Sequence, residues 1–172
     1  SFEGRRVIQS TKIYDRTVKI LLYDLSQNVR RTVVSLDEIS QNIKNATLAI
    51  EDKDFYKHNG LAITSIVRAT IANILSLNFS QGGSTITQQV IKNSLLTKDK
   101  SVTRKVKEWV LAPQLEKVLT KDQILNIYLN EIPYGGSIYG AEQATLTFFG
   151  KKASEVTLAE AAYMAAIPKA PT

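Results

Sequence analysis

The residues best suited to chemistry fall in three short stretches. In the first, Glu51-Asp52-Lys53-Asp54-Phe55-Tyr56-Lys57-His58-Asn59-Gly60, two adjacent carboxylates close an apolar helical run (Ala46, Leu48, Ala49, Ile50) and lead into an aromatic turn. An exposed acidic side chain at a helix C-terminus opposes the macrodipole by about 0.3–1 kcal/mol. Two readings compete: a solvated polar helix end, or a functional site that tolerates the local penalty. The second stretch is Gln81-Gly82-Gly83-Ser84-Thr85-Ile86-Thr87-Gln88-Gln89. Its glycines let backbone approach a ligand closely. A Gly-rich turn feeding a helix N-terminus offers amides and hydroxyls to an anion or a cluster of sugar hydroxyls, although ordinary helix starts use the same residues. The GxxxxGK spacing of a Walker loop is missing, and nothing supplies the His partner of a GxSxG elbow. The third stretch is Arg104, Lys105 and Glu108, which share one helix face at spacings of three and four. They form either surface salt bridges worth about 0.5 kcal/mol, or a carboxylate among cations that together clasp a diphosphate. Lys92, Lys98, Lys100 and Lys107 extend the basic character of this region.

The elements that must place these groups are mostly helical. Ile8 to Tyr14 and Val18 to Tyr23 predict short strands hairpinned around Asp15-Arg16-Thr17, and Arg30 to Val34 is a third run expected to pair with them. Ser35-Leu36-Asp37-Glu38 is a capping box that starts the helical region leading to Glu51. From Ala62 to Phe79 the stripe Ile63, Ile66, Val67, Ile71, Ile74 predicts a helix with Arg68 its only charge. That helix faces a core, or else Leu77 and Phe79 beyond it are offered to a bilayer interface. Thr85 with Gln88 makes a second capping box. A long helix is expected from about Val102 to Leu119, kinked or interrupted by Pro113. Thr120-Lys121-Asp122-Gln123 opens another, ended by Ile132-Pro133-Tyr134-Gly135-Gly136. A helix from about Gly140 to Phe149 stops at Gly150, and Thr157-Leu158-Ala159-Glu160 caps the last one, ended by Pro168.

Composition narrows the partners. A chain of 172 residues suits one domain, burying roughly 70% of its unfolded surface. With 44% hydrophobic residues, eight Gly and four Pro, it reads as a compact, helix-rich globule. The absence of cysteine excludes disulfides and thiolate metal sites, and a single His excludes an HExxH zinc hydrolase. Twenty-two basic against sixteen acidic residues leave +6, which suits nucleic acid, an acidic membrane surface or a phosphorylated substrate. No run approaches the roughly 18 apolar residues of a membrane span, and no signal peptide is visible. The opening at Ser1 without Met suits an excerpt from a longer protein.

Together these stretches resemble the peptidoglycan glycosyltransferase domain of class A penicillin-binding proteins and monofunctional glycosyltransferases. Five family motifs stand in family order: Glu51-Asp52-x-x-Phe55-x-x-His58-x-Gly60; Gly82-Gly83-Ser84-Thr85-Ile86-Thr87-Gln88-Gln89; Arg104-Lys105-x-x-Glu108; Lys121-x-x-Ile124-Leu125-x-x-Tyr128-Leu129-Asn130; and Gly140-Ala141 to Phe149-Gly150. The similarity runs from about Ile13 to Pro171, and the second motif holds eight residues without a mismatch. The resemblance implies a mostly α, lysozyme-like two-lobed helical domain with a small N-terminal β-hairpin. Residues 1–172 would form a single domain, with about 1–35 a short β segment and about 61–80 a membrane-facing small lobe. It also implies polymerisation of lipid II into glycan strands, with inversion at the anomeric carbon and release of undecaprenyl diphosphate. The chain departs from the family pattern at Ala62 (usually Asp), Val18 (commonly Gly), Pro113 and Phe148 (usually Tyr).

On that resemblance Glu51 is the expected general base for the acceptor 4-hydroxyl, a role typically contributing about 10²–10⁴-fold. Glu108 is a second acid near the leaving oxygen or an orienting partner for its cations. Lys92, Arg104 and Lys105 are expected to neutralise the diphosphate, while Gly83, Ser84, Thr85, Gln88 and Gln89 position sugar and phosphate oxygens. Asp52, Phe55 and His58 shape the site, and Tyr128 and Asn130 support it from behind. No obligatory cofactor and no dedicated metal site are expected; the diphosphate commonly recruits a divalent cation, Mg or Mn, as an assistant. The expected partners are lipid II, the growing glycan strand and the bacterial cytoplasmic membrane surface, with no nucleic acid. A C-terminal transpeptidase domain is an option in the full-length protein. The expected location is the outer face of that membrane, with the anchor absent from this chain. The nearest alternative is a lysozyme-like glycan hydrolase or lytic enzyme, which also needs paired carboxylates but has no use for the basic set. A basic helical nucleic-acid-binding domain is more distant, since Glu51, Asp52 and Glu108 would repel phosphates.

Overall fold

A computed structural model describes residues 12–14, 21–24, 29–62, 83–94 and 102–169. The elements are β1 (Lys12–Tyr14), β2 (Leu21–Asp24), β3 (Arg30–Arg31), α1 (Gln41–Glu51), α2 (Ile86–Ser94), α3 (Val102–Val118), α4 (Lys121–Glu131), β4 (Ile138–Tyr139), α5 (Ala141–Phe149) and α6 (Leu158–Ala166). Short 3-10 turns stand at Leu36–Glu38, Phe55–Lys57 and Ile167–Lys169. The chain is mostly α, as the capping and apolar patterns require. The turn Asp15-Arg16-Thr17, Val18, the helix expected from Ala62 onward with Leu77 and Phe79, Gly82, and the membrane-facing lobe beyond residue 62 lie outside the described residues. The packing divides into two compact units, 1–43 with 129–172, and 44–128, with boundaries inside α1 and α4.

In the first unit, β1 and β2 pair antiparallel as expected, Lys12 opposite Asp24 and Tyr14 opposite Leu21, with an irregularity after Ile13. The third run does not join them. Arg30–Arg31 pairs parallel with Ile138–Tyr139 instead, secured by the Arg30 N–H on the Ser137 carbonyl at 2.7 Å and the Arg31 guanidinium over the Tyr139 ring at 5.2 Å. This partner lies more than a hundred residues away, beyond the reach of a local pattern. The Ser35/Glu38 capping box forms but closes only the 3-10 turn. Helix α1 begins later, after Ser40, whose hydroxyl accepts from the Ile43 N–H at 3.3 Å. Gly150 ends α5 in the left-handed conformation (φ 65°), and the Thr157/Glu160 box opens α6. Ile39, Ile43, Leu129, Ala144, Ala161 and Met164 fill this unit's core.

The second unit holds the end of α1, the 52–62 turn, α2, α3 and most of α4. Its core is Phe55, Ile86, Val90, Ile91, Ala112, Leu115, Ile124 and Leu125, each large aliphatic contributing about 1.5–3 kcal/mol on burial. Both expected boxes are reciprocal. The Thr85 N–H donates to Gln88 Oε1 (2.9 Å) and the Gln88 N–H to Thr85 Oγ1 (3.2 Å), while Thr120 and Gln123 repeat the pattern at 2.8 and 3.2 Å. Pro113 does not interrupt its helix: α3 runs continuously from Val102 to Val118. The turn at Ala112–Pro113 is instead backed by Gly60, where a Cβ would stand 2.6 Å from the Ala112 carbonyl carbon and 2.9 Å from the Pro113 nitrogen. Packing against the neighbouring backbone holds together a turn that local propensity would weaken.

Candidate active site

The two acids at the end of α1 have opposite surroundings. Glu51 is half-buried and its Oε2 accepts from Gln89 Nε2 at 2.7 Å. Asp52 turns inward and is 7% exposed; its Oδ2 accepts the Ile86 N–H at 3.0 Å, and both its oxygens lie 3.0 Å from His58 Nε2. Ile86 is the first residue of α2, so Asp52 places a negative charge where that helix's dipole favours one. The adjacent carboxylates thus divide the work: Asp52 is built into the fold and Glu51 is presented. Phe55, 1% exposed, meets Tyr56 and His58 edge-on at centroid distances of 5.2 and 6.2 Å. Asp52, Phe55 and His58 therefore shape the turn through mutual contacts.

The second motif folds over this turn. Thr85 donates its hydroxyl to the Gly60 carbonyl at 2.7 Å, and both Thr85 and Gln88 are buried and committed to their capping box. These two side chains were expected on substrate oxygens; the structure spends them on the start of α2, because the orphan amides of a buried helix start need partners. Gly83 and Ser84 are half-buried, and Ser84 Oγ accepts from Lys105 Nζ at 2.7 Å. Gln89 faces Glu51, and Lys92 lies one turn further along the same face.

The third motif supplies the cations. Glu108 is 1% exposed and ion-paired to Lys105 at 2.7 Å and to Arg104 at 3.4 Å. A carboxylate buried this deeply is tolerated only with such pairing. Lys105 also reaches Ser84, tying α3 to the loop that opens α2. Lys92 is exposed as a residue, yet desolvation holds its pKa below the ordinary 10.5. Glu108 opposes that shift, Arg104 and Lys105 reinforce it, and Glu51 opposes it more weakly. Lys92 is therefore within electrostatic range of both acids, and α2 is the element that links them. Among the described residues no three His, Asp or Glu side chains cluster as metal ligands.

Two further expected residues are described within their own units. Tyr128 is 1% exposed, packed in the core of the second unit. Asn130 belongs to the first unit, where its Oδ1 accepts the Val34 N–H at 3.0 Å and its Nδ2 donates to the Val34 carbonyl at 2.9 Å. Both ends of that amide therefore bond the backbone at Val34. Sequence reasoning also gave no role to Thr87, Glu116 and Lys121, which join α2, α3 and α4, although Thr87 and Lys121 stand within two of the motifs. A signal was present: Glu116, like Glu51, is an acid near the C-terminal end of a helix.

The family model described as Transglycosylase matches residues 18–172. The chain is 43% identical over 163 residues to penicillin-binding protein 1A of Aquifex aeolicus (strain VF5), covering 95% of this chain and 22% of that protein. It is 48% identical over 147 residues to penicillin-binding protein 1A of Clostridium perfringens (strain 13 / Type A), covering 83% and 22%. It is 41% identical over 163 residues to penicillin-binding protein 1F of Bacillus subtilis (strain 168), covering 95% and 22%. The chain thus spans 22% of the length of each of these relatives.

Proposed function

This chain belongs to the Transglycosylase family, and on that premise we propose that it is a peptidoglycan glycosyltransferase joining lipid II units into glycan strands. The observation that carries this reading is α2. One face of that helix presents Gln89 to the Glu51 carboxylate, and the same face brings Lys92 to the cations gathered around Glu108.

In this reading the charges divide the chemistry between two groups. A proton passes from the acceptor 4-hydroxyl to the Glu51 carboxylate as the hydroxyl oxygen bonds the donor's anomeric carbon. The bond from that carbon to the diphosphate breaks on the opposite face, so configuration inverts and the electron pair leaves as undecaprenyl diphosphate. Lys92, Arg104 and Lys105 neutralise the growing negative charge, electrostatics set in place before the reaction begins. Glu108 is already paired with Lys105 and Arg104, which favours its orienting role over that of a second acid. Ser84, bonded to Lys105, steers that ammonium. A divalent cation, Mg or Mn, would accompany the diphosphate as its counterion.

The partners in this reading are lipid II, the growing strand and an anionic cytoplasmic-membrane surface, approached from its outer face and matched by the +6 charge. No helix among the described residues is long and apolar enough to cross a membrane. A transpeptidase domain and a membrane anchor in the full-length protein belong to the same proposal. The test is Glu51→Gln. The variant should remain folded while lipid II polymerisation falls at least about 100-fold, and near-normal turnover would remove Glu51 from the mechanism. Product from purified cell walls instead of lipid II would favour a hydrolase.

A further inference from the structure

Glu116 breaks the same local rule as Glu51. It lies in the last turn of α3, where a carboxylate opposes the helix dipole, and its side chain is only 6% exposed. Lys121 Nζ holds it at 2.8 Å, and it accepts the hydroxyl of Thr87, a fully buried residue in the first turn of α2. Lys121 also stands 4.4 Å over the Phe55 ring. Phe55 meets His58 edge-on, His58 donates to Asp52, and Asp52 accepts the N–H of Ile86, the neighbour of Thr87. The contacts close into a ring that passes through α2, α3, α4 and the turn after Glu51.

A closed ring constrains orientation more than it stabilises, since a buried ion pair contributes little net stability over apolar residues of the same shape. Asp52 tethers α2 at one backbone amide, and the buried Ile86, Val90 and Ile91 seat it by non-directional packing. Thr87, about 100° further round the helix, supplies a second tether on another side. We propose that the Thr87–Glu116–Lys121 chain is a positioning device. It sets the rotation of α2 against the end of α1, so that Gln89 meets Glu51 and Lys92 follows one turn further along the same face. None of the three is assigned a contact with substrate; they act through α2. The kinetic half of this inference rests on the glycosyltransferase reading above.

Thr87→Val tests it, because the shape is kept, the hydroxyl is lost and Glu116 stays paired with Lys121. The expected result is a kcat lower by about 10- to 100-fold with KM changed less than about 2-fold. Amide hydrogen exchange at Ile86 and Gln89 should be faster by about 10-fold, with the unfolding midpoint shifted little. Thr87→Ser, which restores the hydroxyl, should recover most of kcat and of the protection. The inference is overturned if Thr87→Val keeps wild-type kcat and exchange. It is equally overturned if kcat falls only in step with the folded fraction, or if Thr87→Ser recovers nothing. Should the wild type polymerise no lipid II, the proposed function fails, while the exchange comparison still decides whether Thr87 tethers α2.

Discussion

Replacing Gly60 with alanine probes the closest backbone approach in the site. Gly60 has φ +84°, and a Cβ there would stand 2.6 Å from the Ala112 carbonyl carbon, 2.8 Å from its oxygen and 2.9 Å from the Pro113 nitrogen. All three are backbone atoms of a continuous helix, so no flexible side chain can yield. The positive φ costs roughly 1–2 kcal/mol for a residue with a Cβ, and forcing a methyl into packed backbone costs about 1–3 kcal/mol more. Displacing residue 60 also strains the hydrogen bond from the Thr85 hydroxyl to its carbonyl, worth about 0.5–1.5 kcal/mol. The expected loss is therefore about 2.5–6.5 kcal/mol, or a Tm lowered by about 5–25 °C in a domain of this size. Gly150→Ala is the control: φ is +65° there with nothing within 4 Å, so only the conformational cost of about 1–2 kcal/mol applies. Urea denaturation followed by circular dichroism compares the two midpoints. If Gly60→Ala falls within about 1 kcal/mol of Gly150→Ala, the close approach to α3 is not what demands glycine.

Lys105→Ala removes 2.7 Å contacts to both Glu108 and Ser84; binding of a phosphoglycerate-type inhibitor such as moenomycin should weaken by about 10-fold, measured by calorimetry, and unchanged affinity refutes the cationic clasp. Lys92, its pKa held below 10.5 by desolvation, loses its proton earlier on the alkaline side than an ordinary lysine. Inhibitor affinity should accordingly begin to fall below that pH, and Lys92→Arg, charged throughout, should move the decline upward; coincident pH profiles would contradict this. Glu160 is held at about 2 by the hydrogen bond from Lys151, then by the Thr157 N–H. Because its folded value is depressed, its stabilisation is present above pH 4.5 and lost as pH falls through about 2. The stability gap between wild type and Glu160→Gln should close across that window in acid denaturation, and a gap independent of pH would exclude the ion pair as its cause.

Much of the fold and site was legible in the residues because the signals were local. The Thr85/Gln88, Thr120/Gln123 and Thr157/Glu160 boxes are i, i+3 interactions that any chain with those residues and an adjoining helix can form, and all three close. The Ser35/Glu38 box shows the boundary of that logic. Its hydrogen bonds form, yet α1 starts only at Gln41, since a cap specifies a turn and not the length of helix beyond it. Arg104, Lys105 and Glu108 meet as their spacing requires.

The sequence alone therefore determined the inventory: which residues carry charge, where capping boxes close, and that acids stand at helix ends where the dipole disfavours them. Tertiary structure decided their division of labour. It turned Asp52 inward onto Ile86 and His58 while leaving Glu51 to Gln89, gave Asn130 to Val34, and joined Thr87 to Glu116. Each of these partners lies on a different element or in the interior of its own, and neighbours along the chain cannot say which buried donor will find which acceptor. That pairing is settled only when packing removes water and leaves every remaining polar group to find its partner within the protein.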